Sequence, residues 1–415
     1  MIPIWEFSCG FMPDEAVKQL VEDLVWVNTI GEITQPSSEI PSAEDVAKGE
    51  PFKFENLSFR NPDNFQAGSL SNNIAAWEEI GTSPEILDWL KNGVDIHPMF
   101  ECFSGNFKGK CYNSKTPPSA YFPNAANCEK FGKFIAETLT TRIVNGSVSI
   151  VGKVGECQPP HIVMPITIEP SKPRMCHDER FLNLWIRDFP FTLDTLKDVP
   201  RVISLNSYMT SLDDKSGYDH ILLHPNSRTF FGIQFGGWYM VFNTIPFGFK
   251  GSAFIYHTTG LVAMSHCRSL GVAGLLYIDD RLIPEWKGDG MQNIDAYALA
   301  FKSLYIVCQI LVRLGYFLNL AKCVLVPTRC LKFLGMLCDS RKLSFLLPED
   351  KKLSFAELRE NILDNNEVAI KTLQRFAGKY ISFILAIPGA RLYSREVNRA
   401  IGLATKNSRP VRLTE

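Results

Sequence analysis

Apolar residues recur along this chain with two different periods, and the change from one to the other divides it. Over residues 71–92, Ile74, Trp77 and Ile80, then Ile86, Leu87, Trp89 and Leu90, fall three or four apart. That spacing predicts a helix, a turn at 81–84 and a second helix. Phe131, Phe134, Ile135 and Leu139 predict a further helix, closed at Asn145–Gly146. Then the period shortens. Residues 147–154 and 161–168 are β-rich and punctuated by glycine and proline, which predicts a hairpin. Strand-like blocks follow at 202–223, 230–245 and 271–283, with Gly236–Gly237 as a hairpin turn. Helical patterns cover 252–269 and 293–314, and short strands are expected at 322–326 and 332–337. After Pro348 two helices are predicted, at 349–364 and 367–386. The sum is an α+β protein in which a sheet is flanked by helical ends.

Composition refines the picture at the N-terminus. Residues 14–28 carry a short helical signal, and 34–51, TQPSSEIPSAEDVAKGEP, read as a linker or mobile arm. An acidic extension over 1–65 and a helical region over 66–146 therefore precede the sheet. Net charge is −1 over 415 residues, yet positions 1–100 hold 5 basic and 17 acidic residues. The remainder is basic, as a polyanion ligand would require, although a surplus spread so widely is also met on solvated surfaces. With 46% hydrophobic and 21% charged residues the chain is expected to fold. The longest uncharged run, 229–249, is broken by Gln234, Asn243 and Pro246, so no membrane span is expected. The first residues have no basic start or clean apolar core, which points to an intracellular protein. Eleven cysteines without a C-x-x-C pair are expected to be reduced and mostly buried.

The string Leu275-Leu-Tyr277-Ile-Asp279-Asp280-Arg-Leu-Ile283 sets two carboxylates among apolar residues. Burying them is costly, since each loses hydration and repels the other. A tight hairpin with the pair at its turn solves the geometry, and a divalent cation would neutralise the charge. A second pair, Asp213-Asp214, ends an apolar strand 66 residues before Asp279. Carboxylates from neighbouring strand ends can hold two metal ions roughly 4 Å apart and so support phosphoryl transfer. Each pair alone is equally compatible with an ordinary turn.

Six blocks in order, over about 150–340, resemble the motifs of a reverse transcriptase. Lys172-Pro-Arg174 with Asp178-Glu-Arg180-Phe-Leu-Asn183 is similar to the fingers motif. LDDKSGYDHI, starting at Leu212, resembles the first palm motif, and Asn243 to Ser252, containing Pro246-Phe247-Gly248, the nucleotide-pocket motif. Tyr277-Ile-Asp-Asp280 matches the Y-x-D-D box, while Leu314 to Lys322 and Phe333-Leu334-Gly335 resemble the last palm motif and the primer grip. The resemblance implies a right-hand polymerase fold with fingers and palm at 147–340 and a partial helical thumb at 341–415. It also implies template-directed DNA synthesis on an RNA or DNA template with a primer, using deoxynucleoside triphosphates. Two Mg²⁺ ions, or Mn²⁺, would be held by Asp213 and Asp279, with the Asp214 backbone carbonyl completing one shell and Asp280 beside them. Lys322 is implied as proton donor to pyrophosphate. Arg174 and Lys172 are implied on the triphosphate, and Tyr218, Phe247 and Gly248 around the nucleotide. The tail resembles tyrosine-recombinase (DIRS-like) retrotransposons. Ser216, Phe247, Cys176, His177 and Asp219 depart from the commoner residues at their positions, but no metal ligand is lost. A catalytically inactive retroelement protein that binds nucleic acid or a protein partner is the alternative.

Overall fold

The computed structural model describes residues 41–49, 59–171, 173–288, 295–365, 367–407 and 411–412. Lys172 and the expected helix over 14–28 lie outside them. The centre is a four-stranded antiparallel sheet built from β1 (Met209–Asp213), β2 (Leu275–Tyr277), β3 (Asp280–Pro284) and β4 (Val324–Thr328), in the order β2-β3-β1-β4. Side chains alternate across it. Leu212, Leu276 and Ile283 face the main core, where helices α1 (Ser252–Ser269) and α2 (Ala296–Leu314) pack. Met209, Leu275 and Leu282 face a second cluster with Val199, Val202, Leu331, Phe333 and Cys338.

Helix α2 is the most apolar of the long helices described. By length and composition it is apolar enough to cross a membrane. Its charges, Lys302 and Arg313, are too few to mark it as polar, and here it is the buried axis of the core. Gly315 ends it at φ 104, where a Cβ would stand 2.4 Å from the Ser69 carbonyl oxygen. Residues far upstream complete the end of the helix: Arg60 donates from Nε and Nη2 to the Val312 carbonyl, and Trp77 Nε1 donates to that of Leu314. A cation at a helix C-terminus also complements the helix dipole.

Residues 41–49, expected as a mobile arm, instead contain a helix, Ala43–Ala47, packed on α2. Ser42 caps it by accepting from the Asp45 N–H at 3.1 Å, and Ala43 and Val46 are buried. Linker-like composition here hid a capping serine and two apolar anchors.

The expected hairpin between 147–154 and 161–168 does not form. Val148–Lys153 pairs with Trp238–Phe242, whereas Ile162–Val163 lies between Ala120–Tyr121 and Gly232–Phe235 in the same five-stranded sheet. Ile162 and Val163 are both fully buried and need strands on either side, which an arm of a local hairpin lacks. A separate hairpin joins Ile166–Glu169 to Arg174–His177. The single strand expected at 332–337 is also divided: Leu334 (φ 44) and Gly335 (φ 76) turn Cys330–Phe333 back onto Met336–Asp339. The described cysteines are unpaired as expected, but only Cys128, Cys267, Cys308 and Cys338 are buried; Cys102 and Cys111 are exposed, beside and within the hairpin of 103–114.

The C-terminal part consists of α3 (Glu349–Leu363), α4 (Ile370–Ser382) and α5 (Arg395–Asn407). They gather a small core of Leu358, Ile362, Val368 and Leu373, flanked by Phe376, Val397 and Ile401.

Candidate active site

Strands β2 and β3 are joined by the two-residue turn Ile278–Asp279, with Tyr277 paired to Asp280. Ile278 sits at φ 56, a region that β-branched residues rarely occupy. In the next ladder Asp280 lies directly opposite Asp213, and the Asp214 N–H donates to the Asp279 carbonyl at 3.3 Å. Both acidic pairs therefore meet at one end of the sheet.

The electrostatics reflect that meeting. Burial, then the charges of Asp214 and Asp213, raises the Asp279 carboxyl above its ordinary range. The Asp280 carboxyl is pushed up to about 6 by burial, then by Asp279 and Asp213. Asp213 Oδ1 is buried and accepts no hydrogen bond; the exposed Lys322 ammonium stands 3.3 Å from it as an ion-pair partner. Crowded carboxylates, one with an oxygen that accepts no hydrogen bond, are the hard donors that Mg²⁺ or Mn²⁺ takes. The donor chemistry thus fits such ions, although among the described residues no three acidic, His or Cys side chains are already gathered into a cage.

Asp214 points the other way. Its carboxylate is fully buried, paired with the equally buried Arg281 guanidinium and accepting from Tyr256 Oη at 2.5 Å. Burial pushes the Asp214 carboxyl up against the opposing pull of Arg281 and Tyr256. Arginine does not deprotonate in proteins, and the two groups are in direct contact, so the pair is ionised.

Around this cluster stand the other residues singled out from the sequence. Tyr218 follows Ser216 (φ 53) on the short turn Gly217–His220. Its phenol is pushed up to about 12 by burial and then by the Asp279 charge, and its ring lies 4.6 Å from that of Phe247, which is 53% exposed. Buried His220 pins the turn: its Nδ1 lies 2.9 Å from the Gly217 carbonyl, and Nε2 accepts from the Phe317 N–H at 3.0 Å. Burial lowers this imidazole to about 4, so it is neutral. Gly248 (φ 94) leaves no room for a side chain without crowding the His177 carbonyl at 3.1 Å. Asn183 holds the loop by donating to the Gly248 carbonyl at 2.7 Å and accepting from the Lys250 N–H at 2.8 Å. The departures at Asp219 and His177 are structural: Asp219 takes Arg142 and Thr244, and His177 pairs with buried Glu179.

Arg174 is exposed on its strand opposite Glu169, and the structure does not bring it against the carboxylates. Phe333 is buried, while Leu334 lines a cleft with Thr195, Leu196, Lys197, Tyr277 and Leu385. This cleft connects the turn at Leu334–Gly335 to the strand bearing Tyr277. Sequence reading missed Arg281 and Tyr256. A charged residue amid Leu275–Ile283, next to two acids on a buried strand, was the available signal for the first.

A family model for reverse transcriptase (RNA-dependent DNA polymerase) matches residues 169–338. Protein P of duck hepatitis B virus (strain Germany/DHBV-3) is 26% identical over 210 residues, 50% of this chain and 24% of that protein. Protein P of the isolate Shanghai/DHBVQCA34 is 24% identical over 207 residues, again 50% of this chain and 24% of the relative. The chain therefore spans about a quarter of the length of these curated relatives. Among solved structures, the foamy viral protease-reverse transcriptase in complex with RNA/DNA hybrid superposes with a TM-score of 0.55 at 16% identity, covering 86% of this chain and 44% of that one. The same protein in complex with dsDNA gives 0.54 at 16% identity, covering 88% and 70%. These superpositions show the right-hand polymerase fold.

Proposed function

Residues 169–338 form a reverse transcriptase domain, and from that premise we propose that the chain carries out template-directed DNA synthesis by two-metal nucleotidyl transfer. The observation that carries this is the register placing Asp280 opposite Asp213, with the Asp214 N–H on the Asp279 carbonyl. Two strand ends 66 residues apart thereby present one acidic cluster. Asp213 and Asp279 would hold two Mg²⁺ or Mn²⁺ ions, with Asp280 beside them and the Asp214 carbonyl completing a shell. Such ions lower the pKa of a hydroxyl and neutralise charge on a leaving oxygen.

The rest is positioning. The primer 3′-hydroxyl attacks the α-phosphorus, a new P–O bond forms, the bond to the β-phosphate oxygen breaks, and pyrophosphate leaves. Lys322, beside Asp213 and otherwise exposed, delivers a proton to that leaving group. Arg174, exposed on the fingers hairpin, presents a guanidinium fork suited to phosphate oxygens, with Lys172 as a second contact. Tyr218, backed by Phe247, fills the space where a ribose 2′-hydroxyl would enter. The turn Leu334–Gly335 and the cleft beside it seat the primer. The template is an RNA or DNA strand paired with a primer, and the substrates are deoxynucleoside triphosphates.

Primer extension with Mg²⁺ or Mn²⁺, comparing the natural chain with Asp213→Ala and Asp279→Ala, tests the reading. Metal-dependent extension that both variants lose while retaining their thermal unfolding transition is the expected result. Binding of primer–template without extension under either metal would leave a nucleic-acid-binding protein instead.

A further inference from the structure

Beneath the acidic cluster lies a charged pair that the proposed chemistry does not use. Consecutive strand residues face opposite sides. Asp213 and Asp280 look toward the open face, so Asp214 and Arg281 look into the core occupied by α1 and α2. Both side chains are fully buried. Tyr256, on α1, donates its hydroxyl to Asp214 Oδ2, and the Arg281 guanidinium lies 5.0 Å from the ring of Tyr316, the second residue after α2.

The arrangement is a poor device for stability alone. Arg281 Nε and Nη2 find no hydrogen-bond partner although they are buried. Apolar residues of similar volume commonly replace buried ion pairs without loss of stability. What the pair does achieve is placement. Asp214 is gripped by its carboxylate from below and bonded through its N–H to the Asp279 carbonyl, and its neighbour Lys215 bonds to the Phe317 carbonyl. Each link bears on a residue next to, or part of, the two proposed metal ligands. The guanidinium also sets one positive charge under four carboxylates that repel one another.

We propose that Arg281, Asp214 and Tyr256 are positioning residues, a buried clamp that fixes the Asp213 and Asp279 carboxylates at the spacing a divalent cation pair requires. The proposal rests on the two-metal reading given above. Arg281 and Asp214 act through the backbone of the ligand strands and touch neither substrate nor metal with their side chains.

The decisive variant is Asp214→Leu with Arg281→Met, which removes both charges together and leaves neither stranded. Three readouts are taken on the full chain: thermal unfolding, Mn²⁺ binding followed by electron paramagnetic resonance, and single-nucleotide incorporation resolved into rate and nucleotide KM. The clamp is expected to show as unfolding no earlier than in the natural chain, with Mn²⁺ affinity and incorporation rate each lowered about 10- to 100-fold. Nucleotide KM and primer–template affinity should stay near their original values. A folded double variant with unaltered Mn²⁺ binding and rate would overturn the proposal and make the pair mere filling. Should the double variant not fold, Tyr256→Phe removes a single donor. It is then expected to lower Mn²⁺ affinity several-fold, and no change there would count equally against the clamp. If the natural chain shows no metal-dependent extension, it is the two-metal reading that fails, while Mn²⁺ binding still judges the clamp by itself.

Discussion

Of the hairpins that reverse direction in two residues, those at Gly236–Gly237 and Ile278–Asp279 are built from opposite materials. In the five-stranded sheet the turn is Gly236–Gly237, at φ 59 and 81, between Phe235 and Trp238. In the four-stranded sheet the turn is Ile278–Asp279, and Ile278 holds φ 56. Glycine occupies that region freely, whereas a β-branched residue there costs on the order of 1–3 kcal/mol and persists only where its surroundings over-determine it. The surroundings do so here. Ile278 packs on the main core, Asp280 is held opposite Asp213, and the Asp279 carbonyl receives the Asp214 N–H. At Gly236–Gly237, where the turn only reverses the chain, flexibility is harmless. Where it aims a carboxylate, the chain uses a residue whose conformation is hard to reach and hard to leave.

The contrast can be broken most severely at the carboxylate itself. Asp279→Ala or Asp213→Ala should reduce extension by roughly three orders of magnitude, about 4 kcal/mol of barrier, with unfolding little changed. Wild-type rates in either variant would empty the palm turn of its meaning. A second break lies in the pin under the neighbouring turn. His220 has an ordinary value near 6.5 when unfolded and about 4 when folded, so the unfolded chain binds the extra proton. Stability is full above pH 6.5 and falls between 6.5 and 4, by roughly 3 kcal/mol in all. Denaturant titrations across that window should show a shallower acid slope in His220→Gln, and an unaltered slope would remove His220 from this account.

Tyr218→Ala tests what the aimed turn serves. Discrimination against ribonucleotides should fall about 10- to 100-fold, read from competing incorporation rates. The gentlest comparison exchanges turn chemistries. Ile278→Gly should leave stability within about 1 kcal/mol, strain relief offsetting lost packing and added freedom, yet slow incorporation roughly tenfold. Gly237→Ala should cost about 1 kcal/mol of stability and leave incorporation unchanged. Equal kinetic effects at the two turns would erase the distinction.

Local chemistry was largely legible before the structure. Helix α1 runs over the predicted 252–269, and the Y-x-D-D turn lies between the two expected strands, because capping, period and turn signals are properties of neighbouring residues. Partner choice was not legible. Alternation in 147–154 announces a strand but not that Trp238–Phe242 will pair with it. Arg60 falls in the expected acidic extension and Trp77 in the expected helical region, and nothing near either reveals the carbonyls of Val312 and Leu314 awaiting them. Arg281 was hidden by its neighbours: beside Asp279 and Asp280, attention went to the acids, and the face on which each lands follows only from register.

The upstream clasp on α2 bears on how this chain could ever be trimmed. A fragment cut to residues 169–338 would lose Arg60, Trp77 and the small helix at 43–47, all of which close over the nineteen-residue rod Ala296–Leu314. Left uncovered, that rod would expose an apolar surface that is, by length and composition, long enough to span a bilayer. The preamble that looks dispensable beside the sequence motifs is what covers this helix.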